Sequence, residues 1–484
     1  MSLEHSRALL LATKVSDSDE ETLLARQEQT LVTVRIDPSV RGAVITGRVL
    51  LTTLRRLPGR LALDHTGLPD STVQEIVKAV SAIDSTRPIA IIDGPDPNAT
   101  VQLDIGLKGE PGFIRVVPDG YGAQIARDPD VNLTIGQPAN GLGSVFAAAL
   151  AAAEAFKVIV VDKENRRTPH KYLSFCPVTL GQDTTIAPPL GNHELDAAIV
   201  GNGAVGTAIA LILSQLRLGG HVTLCDPERY GPENRGTYSL GGEREGKEKP
   251  LKVALVSDVL RASGYDTTPV DKTSTELIGL IDSGDIPMPQ IVLTGLDSIQ
   301  ARRETQLLFP DHIIDAGTSD TSVGLHYAVP TGPCLRCFFP ENHSGPNPIR
   351  ALADETGLPA SLLRQGDKAL TKDNLDTLTP EQQARLKDYV GTPICGLANA
   401  LGLTDAHSDG YLPSVPFVSQ MAACLAVGRL VAVLLDLDIE VNFFQFDALH
   451  SPLQEGDARR PVPDCYCQER APLVQKLRTQ RRGT

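Results

Sequence analysis

At 484 residues the chain has room for two or three domains and a large core, and a formal net charge of −14 excludes a general nucleic-acid or anionic-membrane binder, which needs a basic surface to neutralise phosphates. Its 8 cysteines are too few for a disulfide framework, and four fall in two tight pairs, Cys334 with Cys337 and Cys465 with Cys467, the pattern of a cytoplasmic protein that holds a metal. Glu4, His5 and Arg7 precede any apolar core, so no secretory signal is expected, and the most apolar runs, interrupted by Glu154, Lys157 and Arg429, read as buried helices and not as membrane spans.

From 30 to about 161, apolar strand-like runs at 31–36, 88–93 and 112–117 alternate with helical ones at 43–57 and 73–83, which predicts an α/β layer structure. This half closes on a helix of small residues over 144–156 and has no glycine fingerprint followed by an acid. A polar connection, 168–192, leads into the second half, which ends in a similar small-residue helix over 417–430. Small side chains let helix backbones approach closely, so the two helices are candidate partners across an internal pseudo-two-fold axis.

At 197–200 a short apolar strand feeds Gly201-x-Gly203-x-x-Gly206, a helix follows, and the next strand ends on Asp226, about 20 residues past the last glycine. The glycines let the backbone turn tightly and approach a phosphate, the helix N-terminus offers free N–H groups, and Asp226 can accept from ribose hydroxyls. Together they predict a Rossmann-like nucleotide unit. Asn234, Arg235, Lys247, Lys249 and Lys252 come next; an amide and cations there suit a triphosphate better than a nicotinamide cofactor, although alone the lysines read as a solvated face. The strand at 290–296 delivers Asp297 to the carboxyl edge of the sheet, where an acid can hold a magnesium ion bridging phosphates. Cys334, Cys337, Cys465 and Cys467 supply four thiolates, enough for a closed structural zinc site that pins the C-terminal tail to the body. Arg478, Arg481 and Arg482 read as a solvated basic end, and Cys176, Cys225 and Cys424 as buried and inert.

In their order along the chain, Gly201, Gly203 and Gly206, Asp226, Asn234, Lys252, the Asp297-Ser298-x-x-x-Arg302 segment, the Gly332-Pro333-Cys334-x-x-Cys337-x-x-Pro340 knuckle and the late cysteine pair resemble the adenylating domain of the ubiquitin-activating (E1-like) family, the group that includes the MoeB and ThiF enzymes. The resemblance implies an α/β fold: a Rossmann-like adenylation domain over 191–340 and 395–484, a helical insertion over 341–394, and before them a degenerate, inactive-adenylation-like domain over 1–190. The two domains would form a pseudodimer within one chain, with a homodimer as a further assembly.

The same resemblance implies that ATP and magnesium bind and that the C-terminal glycine carboxylate of a ubiquitin-like protein attacks the α-phosphate, giving an acyl-adenylate and pyrophosphate. Asp226 would hold the ribose, Asn234 and Lys252 the phosphates and Asp297 the magnesium, with Lys252, Arg235 and Asp297 neutralising charge in the displacement. Arg235 follows Asn234 at once, where the family places its arginine three residues on. The family's early arginine, which reaches the γ-phosphate from a partner subunit, would come from the first half, with Arg26 as candidate. Cys395, in a loop marked by proline and glycine, looks like the crossover-loop cysteine that takes the ubiquitin-like protein as a thioester for an E2-like conjugating enzyme; Ser408 is the alternative acceptor. The rival functions are sulfur-carrier activation of the MoeB/ThiF type, against which the insertion argues mildly, an NAD-dependent oxidoreductase, in which Lys252, Asp297 and the knuckle have no role, and a nucleotide-binding pseudoenzyme scaffold.

Overall fold

A computed structural model describes residues 20–107, 111–160, 170–184, 188–340, 355–363, 368–392, 415–452 and 456–482, with isolated positions at 8, 11–12, 16, 18, 352–353, 394 and 397. The chain divides into two compact units, one made of Met1–Phe338 with Ser414–Thr484 and the other of Phe339–Pro413.

The first half of the larger unit contains α1 (Glu20–Gln29), β1 (Leu31–Ile36), α2 (Ala43–Arg55), β2 (Arg60–Asp64), α3 (Asp70–Ile83), β3 (Ala90–Ile92), β4 (Val101–Ile105), β5 (Phe113–Asp119), β6 (Gly122–Ala126), α4 (Gly141–Val160) and β7 (Tyr172–Phe175). Its sheet runs β3-β2-β1-β4-β5-β6-β7, parallel through β5 and antiparallel beyond. The connection expected to be loop over 168–192 thus contributes an edge strand, β7, paired to β6. Four residues with Tyr172 exposed leave too little alternation to read from sequence.

The second half begins with β8 (Leu195–Val200), α5 (Ala204–Leu216), β9 (Gly220–Cys225), α6 (Glu243–Glu248), α7 (Lys252–Arg261), β10 (Asp266–Val270) and α8 (Ser274–Asp282). It continues through β11 (Ile291–Thr294), α9 (Ile299–Thr305), β12 (His312–Ser319), β13 (Ser322–Ala328) and α10 (Leu335–Phe338). After the smaller unit, which carries α11 (Ala360–Leu363) and α12 (Pro380–Leu386), come α13 (Pro416–Leu434), β14 (Phe443–Asp447), β15 (Gly456–Asp457), α14 (Tyr466–Glu469) and α15 (Ala471–Arg481). The second sheet runs β10-β9-β8-β11-β12-β13-β14-β15. This is the order of the first sheet with one short edge strand added: in each the first strand of the half lies third, and five parallel strands give way to antiparallel ones. The fold is therefore a Rossmann-like α/β domain preceded by a second α/β domain of matching topology.

The two halves share one core. α4 and α13 are rich in alanine and valine and are buried along nearly their whole lengths, so both lie inside the protein despite being apolar and long enough to cross a membrane. Phe156 on α4 meets Phe417 on α13 with ring centroids 5.3 Å apart, and Phe175 on β7 meets Phe444 on β14 at 5.8 Å. Gln420 on α13 reaches both halves, its amide donating to Thr53 Oγ1 at 2.8 Å and to Ser239 Oγ at 3.3 Å. The smaller unit has its own cluster around Leu358, Leu370 and Leu386, and α12 is capped by Thr379, whose side chain accepts from the Gln382 N–H.

Candidate active site

The glycine turn between β8 and α5 is closely packed. Gly201 has φ +86°, in the left-handed region, and a Cβ at Gly206 would lie 2.1 Å from the Gly201 carbonyl oxygen, so only glycine lets the helix start this close to the strand. The turn is tied to β9 by the Gly201 N–H, which donates to the Cys225 carbonyl at 2.9 Å.

Asp226, at the end of β9, accepts the Asn202 N–H at 2.7 Å on one oxygen and the Glu228 N–H at 2.8 Å on the other, leaving lone pairs on both. Burial raises the Asp226 carboxyl above its ordinary pKa, against Lys252 and the two N–H donors, and Asp297 acts in the same direction as burial. Asn202 donates its side-chain amide to the Cys225 carbonyl at 3.1 Å, while its Oδ1 is buried with no partner. A polar ligand donor would satisfy that oxygen.

Lys252 opens α7 almost fully buried, its Nζ bonded to Glu228 and 5.3 Å above the Tyr238 ring. Burial acts to lower its pKa, but Tyr238, Asp226 and Glu228 together hold it well above the ordinary lysine value. The lysine that sequence alone would leave on a solvated face is thus buried beside the glycine turn, its ammonium form favoured by these neighbours. Tyr238 completes that side: its hydroxyl lies 3.5 Å from where a Cβ of Gly203 would be. Asn234 is buried and its Oδ1 accepts the Gly231 N–H at 2.8 Å, so the side chain holds together the turn that sets Tyr238.

Asp297 stands exposed beyond the carboxyl end of β11, on a loop packed against the glycine turn: a Cβ at Gly201 would meet the Gly295 carbonyl oxygen at 3.0 Å. A buried network holds this loop. Asp315 on β12 has no exposed surface and accepts from Arg302 Nη1 at 2.9 Å and from Thr294 Oγ1, with His326 Nδ1 also at 2.9 Å. Arg302 in turn donates through Nη2 to the Leu296 carbonyl at 2.7 Å, the peptide that leads into Asp297. Arg302 and His326 pull the Asp315 carboxyl below the ordinary range, against the burial that would raise it. Sequence reasoning assigned no role to Asp315, Thr294 or His326; the signal was the β12–β13 register, which sets Asp315 opposite His326.

Arg235 lies 3.4 Å from Glu243. Arg26 sits on α1, whereas the first-half arginine that reaches the loop after Asn234 is Arg56, which donates to the carbonyls of Arg235 at 2.7 Å and Gly241 at 2.9 Å. Cys395 and Ser408 fall outside the described residues.

The four paired cysteines converge. Their sulfurs all lie within 4.8 Å of one another, with Cys334–Cys337 at 3.7 Å, Cys334–Cys465 at 3.5 Å and Cys337–Cys467 at 3.6 Å. A zinc–sulfur bond of about 2.3 Å in a tetrahedron spaces sulfurs by about 3.8 Å, so the cluster fits that ion. Hydrogen bonding from Cys334 lowers the Cys337 thiol to about 5, and burial pushes Cys465 up to about 11. Cys176, Cys225 and Cys424 are buried, with thiols raised by desolvation.

The family model described as "ThiF family" matches residues 193–467. No curated protein matches the chain in sequence. Among solved structures, E. coli MccB with ATP is 12% identical over 74% of this chain and 98% of that chain, with a TM-score of 0.37. E. coli MccB with MccA-N7isoASN is 13% identical over 57% of this chain and 66% of that chain, just under two thirds of its length, with a TM-score of 0.36. Selenomethionine PaaA is 17% identical over 54% of this chain and 71% of that chain, with a TM-score of 0.29.

Proposed function

The chain belongs to the ThiF family, and we propose that it is an ATP-dependent adenylating enzyme whose acceptor is the C-terminal glycine carboxylate of a ubiquitin-like protein. The observation that carries this reading is the buried Lys252 ammonium beside the glycine turn and Asp226. A nicotinamide cofactor gives such a cation no task, whereas the α-phosphate of ATP builds negative charge as a carboxylate attacks it. The acceptor's oxygen bonds to the α-phosphorus, the bond to the bridging oxygen of pyrophosphate breaks, and the products are an acyl-adenylate and pyrophosphate.

In this reading Asp226 and the unpartnered Asn202 Oδ1 take the ribose hydroxyls, the turn at Gly201, Gly203 and Gly206 admits the phosphates, and Lys252 exchanges Glu228 for phosphate oxygens. Asp297 would hold magnesium, which supplies charge neutralisation at the phosphates; an exposed carboxylate at the sheet edge is the hard oxygen donor that ion takes. Arg302 and Asp315 keep the Asp297 loop in place. Asn234 supports the phosphate side by holding its turn, and Arg235 serves the seam with the first half. The zinc reading of the four-cysteine cluster rests on its sulfur spacing. Transfer to Cys395 as a thioester, and onward to an E2-like enzyme in the cytoplasm, is the continuation the family resemblance supports.

Exchange of labelled pyrophosphate into ATP tests the adenylation step: it should require a ubiquitin-like protein ending in glycine and fail with the same protein lacking that residue. Absence of exchange with every such carrier tried sinks the reading. Cys395→Ala should still support exchange yet lose a thiol-sensitive adduct with the carrier; an adduct that persists moves the acceptor elsewhere, with Ser408 next to be changed.

A further inference from the structure

Where the two halves meet beside the candidate site, a small, partly open cavity of about 10 Å³ is lined by Arg55, Arg56, Arg87, Arg235, Asp84 and Gly236. Four arginines line it with one acid. Asp84 is taken by Arg87, 2.5 Å from its Nε, and Arg235 has Glu243 at 3.4 Å. Arg55 and Arg56 are buried and bond to carbonyl oxygens: Arg55 to those of Arg87 at 2.6 Å and Gly59 at 2.5 Å, Arg56 to those of Arg235, Ser239 and Gly241. Carbonyl dipoles leave the net charge where it was, and the seam retains buried positive charge. Arg55 Nε is moreover buried with no partner.

We propose that this cavity binds one small monovalent anion of halide size, with chloride as the ordinary occupant. Its volume suits a single small particle and so favours a monatomic ion over phosphate or sulfate. The lining charge favours an anion over a neutral water, and the free Arg55 N–H is a donor awaiting an acceptor. Desolvation lowers Arg55 to about 10 and also lowers Arg56, the strain that a counter-ion relieves. The ion would tie the end of α2 to the segment directly after Asn234, so the loop beside the glycine turn is held partly by an exchangeable ion.

Crystals of the full chain soaked in sodium bromide should show an anomalous peak in this cavity. In solution, the midpoint of thermal unfolding should be higher in sodium chloride than in sodium gluconate of equal ionic strength, saturably and by about 2 °C. Arg55→Met should abolish the difference. No bromide in the cavity, or equal midpoints in the two salts for the unaltered protein, overturns the proposal and leaves a water there; both readings stand even if the variant does not fold.

Discussion

Lys252 and Asp297 are the residues on which adenylation chemistry should depend most directly. Lys252→Met and Asp297→Ala should each lower the exchange rate by about 10²-fold or more with the fold intact by circular dichroism, because in the proposed reading each removes charge that faces phosphate. Retained exchange removes the residue from the site. Asp315 differs in kind, since it touches Arg302, Thr294 and His326 and sits beneath the Asp297 loop. Asp315→Asn strips a buried cation of its counter-charge and should cost about 3–5 kcal/mol of stability by denaturant unfolding. Its folded pKa is depressed, so its stabilisation is present above the unfolded carboxylate value of about 3.9 and is lost as pH falls below it; the variant should show a shallower loss of stability in that acid range. The sequence made Asp226 and the three glycines legible because their spacing is local. It hid the Asp315 network, whose partners lie on four different segments, and the contact of Arg56 with the loop after Asn234, which only three-dimensional packing creates.

Elements were legible in proportion to their length. α2 and α3 lie close to where the helical runs predict them, whereas β7 vanished into a polar connection because its pairing with β6 is a tertiary fact. The basic end likewise proves to be more than a solvated tail. On α15, Arg478 bonds Asp311, and Arg481 bonds Asp282 at 2.7 Å and the carbonyls of Leu307 and Leu308 at 2.6 and 2.8 Å. With the cysteine cluster at one end and these arginines at the other, the last two helices are fastened twice. Treatment with a zinc chelator should release close to one zinc per chain by elemental analysis and make the segment after Cys465 sensitive to trypsin. Added salt, which screens the exposed ion pairs, should by itself leave that segment protected.

At the scale of the molecule, two sheets of the same strand order share one core, with α4 and α13 as its central pair. A chain beginning near 191 would expose the face of α5 and α13 that the first half covers, and it should aggregate when expressed alone. Co-expression with 1–190 should restore a soluble, stoichiometric complex, measured by size-exclusion chromatography with light scattering. The alternation of strands and helices announced two α/β halves; that they would have one interior could be suspected from their small-residue helices, but not their common strand order, because order in a sheet is set by long-range pairing that no local pattern encodes.

The joining of both sheets by one polypeptide has a kinetic corollary. Partners that meet as separate subunits come apart when diluted, and any group that one lends the other's site is lost with it. Here the loan from Arg56 to the loop after Asn234 is intramolecular, at an effective concentration set by the chain itself, so specific activity should hold constant down to picomolar enzyme.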